Sequence, residues 1–218
     1  MKSLKMRKFL SFLGVLASST GVLSLEHSSI AQAEILNYTH FVSPGKFALA
    51  VEPQLIVTRG AGLGVNARYT QGLNDLMNAS INLGNGSGPR QARLGAALTL
   101  DFFPDVDKQP GIGVTAQLDY VNAPRLGRDA YSTEMASQVE VLGIPYIHKA
   151  AVFQNNEVDP FLALPVGMFF QSNQYRWKSN LVVGSQFKIT SAVRTSLELG
   201  FNLSNSDSYI SGGLTYYH

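Results

Sequence analysis

The segment from Gly111 to Tyr120 has two faces of opposite chemistry, and it constrains the fold more than any other stretch of the chain. Its sequence is GIGVTAQLDY, and its alternate positions hold Ile112, Val114, Ala116, Leu118 and Tyr120. Glycine, threonine, glutamine and aspartate stand between them. Successive side chains of a β-strand point to opposite sides, so the segment predicts a strand with one apolar and one polar face. One such strand is also compatible with a soluble sheet that packs one face on a core.

The same alternation recurs along the chain, which decides between these possibilities. The predicted strands are 47–58, 63–70, 76–84, 92–103, 111–120, 135–141, 161–170, 177–189, 197–203 and 210–216. The polar sets are repeatedly small, hydroxylated or charged, as a barrel with lipid outside and a polar lumen inside requires. The pattern therefore predicts an all-β, antiparallel, up-and-down transmembrane barrel of about ten strands, with eight as the alternative count. The residues Ile144 to His148 interrupt the alternation.

The pattern of the first 33 residues predicts a cleaved signal peptide. Four basic residues precede an apolar run from Phe9 to Leu25, and Ala31 and Ala33 supply the small-x-small cleavage pattern. Residues 1–33 are thus the predicted signal, 34–45 a short periplasmic leader, and 46–218 the barrel. Removal of the signal takes away those four basic residues and Glu26, which changes the formal net charge from +2 to about −1. No basic face remains for a nucleic acid.

Composition narrows the class further. The chain has no cysteine, which excludes disulfides and thiolate metal sites. After Leu25 no uninterrupted apolar stretch reaches the ~18 residues that a spanning helix needs. If this protein lies in a membrane, it crosses with strands. No cofactor and no metal site are predicted.

Charged residues on the predicted lumen side are the candidate functional set. They are Glu52, Arg68, Arg93, Asp101, Asp119, Glu140, Lys178, Lys188 and Glu198. In a narrow barrel such charges are expected to pair with one another, because an unpaired buried charge is costly. The alternative is that they line a narrow pore and set its ion selectivity.

The histidines and the aromatic residues near strand ends are two further candidate groups. The mature chain has His40, His148 and His218, and none is predicted beside a Ser/Asp pair at the outer rim, so we expect no catalytic triad. Aromatic residues near strand ends predict a belt at the lipid headgroups. They are Tyr131, Tyr146, Tyr175, Trp177, Tyr209 and Tyr216.

Taken together, the chain resembles small outer-membrane β-barrel proteins of Gram-negative bacteria, in the broad OmpA-like and porin-like grouping. The resemblance extends from Phe47 to the end and includes Ile144-Pro145-Tyr146 before a turn and the closing Gly-Leu-Thr-Tyr-Tyr-His. It implies location in the outer membrane, contact with its lipids and lipopolysaccharide, and recognition of the last strand by the barrel assembly machinery. Members of this grouping end on an aromatic residue, whereas His218 stands here.

Three functions are compatible with this sequence. The first is a structural or surface-binding role, carried by extracellular loops whose ligand is unknown. The second is a narrow channel for ions or small solutes. The third is a soluble, secreted, lipocalin-like barrel that binds an apolar ligand, in which the two faces would be exchanged.

Overall fold

The computed structural model describes residues 41–58, 61–87, 92–124, 135–153 and 156–218. The predicted signal peptide, its predicted cleavage residues Ala31 and Ala33, and residues 34–40 of the predicted leader lie outside this part of the chain. Within the described residues no helix is long and apolar enough to cross a membrane.

Twelve strand segments build the fold. They are β1 (Phe47–Ile56), β2 (Gly62–Asn74), β3 (Met77–Gly86), β4 (Ala92–Phe103), β5 (Gly111–Pro124), β6 (Met135–His148), β7 (Ala151–Phe153), β8 (Asn156–Ala163), β9 (Val166–Gln171), β10 (Gln174–Lys188), β11 (Val193–Ser204) and β12 (Tyr209–Tyr217). All the pairings between them are antiparallel.

The sheet closes on itself, because β1 pairs with both β2 and β12. Segments β8 and β9 lie end to end between β6 and β10, so together they occupy one barrel position. The short β7 pairs with β8 and continues the path of β6. The result is a closed barrel of ten antiparallel strands, which confirms the predicted fold class and strand count and excludes the eight-stranded alternative.

The break between β8 and β9 lies at Pro165. Pro165 has no N–H to donate to a ladder, and it follows Leu164 directly where the two segments separate. The ladder is bridged instead by hydrogen bonds from the Leu164 N–H to the Pro145 carbonyl (3.0 Å) and from the Asn180 N–H to the Pro165 carbonyl (3.0 Å). The barrel therefore stays closed through this irregularity.

The two ends of the barrel differ. The terminal end carries residues 41–46, His218 and the turns after β2, β4, β7 and β10; the loop end carries the connections after β1, β3, β5, β9 and β11. At the terminal end the His218 N–H donates to the Phe47 carbonyl (3.0 Å), and the two rings lie 4.9 Å apart. The final histidine is thus fixed against the start of β1.

Candidate functional site

The outward face of the described strands is predominantly apolar and carries no charge. In the described strands, every charged residue lies at an inward-facing position, and outward positions alternate with them. Large apolar side chains on the outside remain about half exposed; they include Leu49, Val51, Leu63, Val65, Ile81, Leu83, Leu94, Leu98, Leu118, Val141, Leu162, Val183, Leu197, Leu199, Ile210 and Leu214. The outward residues predicted from the alternation occupy these positions. An exposed apolar surface of this extent marks a contact with lipid or protein.

Aromatic side chains stand on the outer face near both ends. Those near the loop end are Tyr120, Phe170, Tyr175, Trp177 and Phe201, and those near the terminal end are Phe102, Phe103, Phe153, Phe187 and Tyr216. Tyr146 and Tyr209, which the sequence analysis assigned to this belt, instead point into the lumen and are 3% and 1% exposed. Tyr131 lies outside the described residues.

Two ion pairs hold the lumen wall from β1 to β5. The Arg68 guanidinium lies 3.1 Å from the Glu52 carboxylate, and Asn66 Nδ2 donates to the same carboxylate oxygen (2.9 Å). Arg93 donates to both oxygens of Asp119 through Nε (3.2 Å) and Nη2 (2.7 Å). Asp119 is fully buried, and this bidentate arrangement offsets the cost of removing its charge from water.

A third pair crosses from β10 to β6. Lys178 Nζ lies 2.6 Å from a Glu140 oxygen, and both side chains are at most 1% exposed. The Gln138 amide donates to the other Glu140 oxygen. The carboxylate offsets the cost of burying the ammonium, which is very high for an isolated charge.

The three remaining predicted lumen charges have different surroundings. Lys188 is half exposed at the terminal end and bonds Glu157 (3.1 Å), whereas Asp101 and Glu198 are 6% and 1% exposed inside the barrel. Glu157 also accepts from Arg194 Nη2 (2.5 Å). Neither Glu157 nor Arg194 belongs to the predicted lumen set, because the predicted strands begin only at Phe161 and Leu197, whereas the strands of the structure begin at Asn156 and Val193.

His148 and Asp159 form another lumen pair that the sequence analysis missed. His148 Nδ1 lies 3.2 Å from Asp159 Oδ1, and both residues are buried. The alternation, which is predicted to break at Ile144 to His148, continues in β6, with Ile144, Tyr146 and His148 inward. Period-two alternation extended past Gly143 would have placed His148 in the lumen.

Part of the lumen is apolar, whereas the sequence predicts a polar lumen. The cluster consists of Leu142, Ile144, Tyr146, Phe161, Ala163, Val182 and Tyr209. These residues come from β6, β8, β10 and β12, on the same side of the barrel as the Glu140–Lys178 pair. The interior therefore resembles the core of a small barrel, in which side chains occupy the lumen.

The turn after β11 enters the loop end of the lumen. Ser206 and Asp207 are 0% and 1% exposed. Thr58 Oγ1 donates to Asp207 Oδ1 (2.7 Å), and Asn180 Nδ2 donates to the Asp207 carbonyl (3.3 Å). These bonds tie the turn to β10 and to Thr58, which lies two residues after the end of β1, and they hold it in the mouth of the barrel.

A small cavity lies at the lumen wall formed by β1 to β4. This cavity of about 30 Å³, lined by Gln54, Asn66, Gly84 and Arg93 among others, has room for about one water molecule. Among the described residues, no group of three or more His, Asp or Glu side chains is arranged to hold a metal ion.

Comparisons with known proteins bear on the architecture. The sequence matches no protein-family model and no curated protein. The fold is similar to designed transmembrane β-barrels (12% identity, 82% of this chain, 100% of that chain, TM-score 0.38). It is also similar to an outer membrane channel from Pseudomonas putida F1 (11%, 86%, 100%, 0.44) and to the β domain of the Bordetella autotransporter BrkA (12%, 81%, 100%, 0.44). At these values the likeness concerns the barrel fold alone.

Proposed function

We propose that this protein is an integral β-barrel of a Gram-negative outer membrane, with a structural or surface-binding role and a filled lumen. The observation that carries the proposal is the outer face, where the described strands place apolar side chains and no charge. Burying such a face in hydrocarbon is favourable by roughly 25 cal/mol per Å² of apolar area. In water the same face would promote aggregation.

The inward charges support this orientation against a soluble lipocalin-like barrel. Such a barrel exposes its polar positions to water and lines its lumen with apolar ones. Here Glu140, Lys178 and Asp119 are buried inside, while Leu63 and Leu98 are exposed outside. The apolar outer face and the charged inner face thus fit a barrel that is surrounded by a medium less polar than its lumen.

The packed interior favours a scaffold over a narrow channel. Conduction needs sites that bind ions weakly enough to release them, together with space for them to pass. Six of the lumen charges form three ion pairs, in each of which the two partners bond to each other, and an apolar cluster lies beside them. The pairs are Glu52–Arg68, Arg93–Asp119 and Glu140–Lys178. Function would then reside on surfaces, with the loop end as the place for an extracellular ligand or lipopolysaccharide.

The last strand is the proposed contact with the barrel assembly machinery. In β12, Ile210, Leu214 and Tyr216 alternate on the outer face, and β12 closes the barrel by pairing with β1. An unpaired β12 before closure would offer both its apolar face and its free edge to a partner.

The proposal is tested by membrane fractionation together with gel migration of boiled and unboiled samples, followed by planar-bilayer recording. We expect the protein to pellet with outer membranes, to run faster unboiled as a closed barrel, and to give no steady conductance. Recovery in the soluble periplasmic fraction without detergent would overturn the membrane assignment. Steady single-channel conductance would overturn the filled lumen and favour the channel.

A further inference from the structure

The chain folds back into the barrel immediately before its first strand. Residues Ser43 to Lys46 form a tight turn in which the Lys46 N–H donates to the Ser43 carbonyl (2.9 Å). Pro44 and Gly45 occupy the central positions, and Gly45 has a φ of 74°. Proline followed by a glycine of positive φ is the favoured centre of a type II turn. The turn reverses the chain, so residues 41–43 run back over the terminal end of the barrel.

Residues 42 and 43 pack directly against Gly72 of β2. Its position faces the lumen, and a Cβ built there would overlap the carbonyl oxygens of Val42 and Ser43 and lie 2.7 Å from the Ser43 carbonyl carbon. Only a residue without a side chain allows this approach. The Gly45 N–H donates to the Gly72 carbonyl (3.2 Å), the Gly72 N–H donates to the Lys46 carbonyl (3.0 Å), and Val42 is 4% exposed.

We propose that residues 41–45 are a strap that covers the polar lumen wall at the terminal end and limits the entry of small polar solutes from that side. Gly72 is opposite Asn78 in register, and the next inward pair is Thr70 and Ser80. A small solute that enters along β2 and β3 therefore meets the strap before it reaches Ser80. The inference rests on the proposed filled barrel, because it describes how that lumen is closed at one mouth.

The absence of cysteine allows a clean test by thiol labelling. Ser80→Cys places one thiol on the inward side of β3, and its rate of reaction with a charged, water-soluble maleimide is measured on the refolded barrel. Gly72→Val expels the strap by overlap, and Val42→Asp expels it because a buried carboxylate is costly. The matched control is Gly64→Val on the same strand, where the nearest atom to a new Cβ, the Asn85 carbonyl oxygen, lies 3.7 Å away.

We expect labelling to accelerate about tenfold or more with Gly72→Val and with Val42→Asp, since the rate follows the population of the opened strap. We expect no change with Gly64→Val. Equal labelling rates in all variants would overturn the proposed strap. If Gly72→Val does not fold, an unchanged labelling rate in Val42→Asp is sufficient to overturn it. Membrane pelleting and the fast unboiled band test the proposed function separately, so either idea can fail without the other.

Discussion

The phenol ring of Tyr209 lies directly over Gly200 on the neighbouring strand β11. The two residues are opposite each other in the register, and a Cβ built on Gly200 would be 2.6 Å from Cζ of the ring. Tyr209 is 1% exposed, so the lumen accepts this large side chain only because its neighbour has none. The pair shows how a narrow barrel accommodates aromatic residues in its core.

Gly200→Val should therefore destabilise the barrel by about 1–3 kcal/mol through overpacking. The free energy of unfolding in detergent, measured by urea titration, checks this. Gly212→Val is the control, because the nearest atom to its new Cβ is the Ser196 carbonyl oxygen at 3.6 Å. An equal loss at both positions would mean that the ring does not set the requirement for glycine at 200.

Leu98→Arg and Leu63→Arg should differ in cost although both leucines are exposed. Leu98 lies near the middle of β4, whereas Leu63 lies at the loop end of β2. For a barrel in lipid, we expect a loss of about 2–4 kcal/mol for Leu98→Arg and about 0–1 kcal/mol for Leu63→Arg, because the cost of a charge depends on depth. Unfolding from lipid vesicles measures both values. Small and equal losses would contradict the membrane assignment.

Glu140→Leu should cost about 3–5 kcal/mol, because it leaves the Lys178 ammonium buried without its carboxylate partner. The double variant with Lys178→Met should recover much of this loss, since both charges are then absent. Unfolding free energies of the two single variants and the double variant give the coupling. A double variant as unstable as the sum of the single ones would show that the two side chains act independently.

Stability at low pH should depend on Asp105, which lies in the turn after β4. Burial opposes ionisation of this carboxyl, but hydrogen bonds from the Lys149 ammonium and the Ala150 N–H (2.6 Å) outweigh it and hold the pKa of Asp105 below its ordinary value of 3.8. The folded-state pKa is lowered, so the ionised group stabilises the fold above its ordinary pKa. This stabilisation is lost as the pH falls below about 4 and through the folded-state value.

The Asp105 prediction is checked by measuring melting temperatures between pH 2 and pH 7. We expect the melting temperature of the unmodified protein to fall on the acid side. Asp105→Asn should lower the melting temperature at pH 7 and flatten the acid-side decline. Lys149→Met should flatten it as well, because the cation that stabilises the carboxylate is gone. A profile in Asp105→Asn that keeps the full acid-side slope would assign that slope to other carboxyl groups.

The sequence could predict much of the fold because the signal is local. Alternation at period two identifies a strand and its two faces without knowledge of its neighbours, as with Leu94, Leu98 and Leu118 on the outside. Turns that contain glycine, proline, asparagine, aspartate or serine then separate the strands and give their number. The same alternation predicts Glu52, Asp119, Glu140 and Lys178 on the inner side, where they lie in the structure.

What the sequence alone determined is therefore which residues share a side of each strand. The tertiary structure decided which of them meet: Arg93 with Asp119, His148 with Asp159, and Tyr209 with Gly200. These contacts depend on the register between strands and on the space that a neighbouring glycine leaves, and both are settled only when the sheet closes and every strand has two partners. Tyr146 and Tyr209 were misassigned for a different reason: they were placed in the belt because they lie near strand ends, although the alternation of β6 and β12 puts both on the inner side.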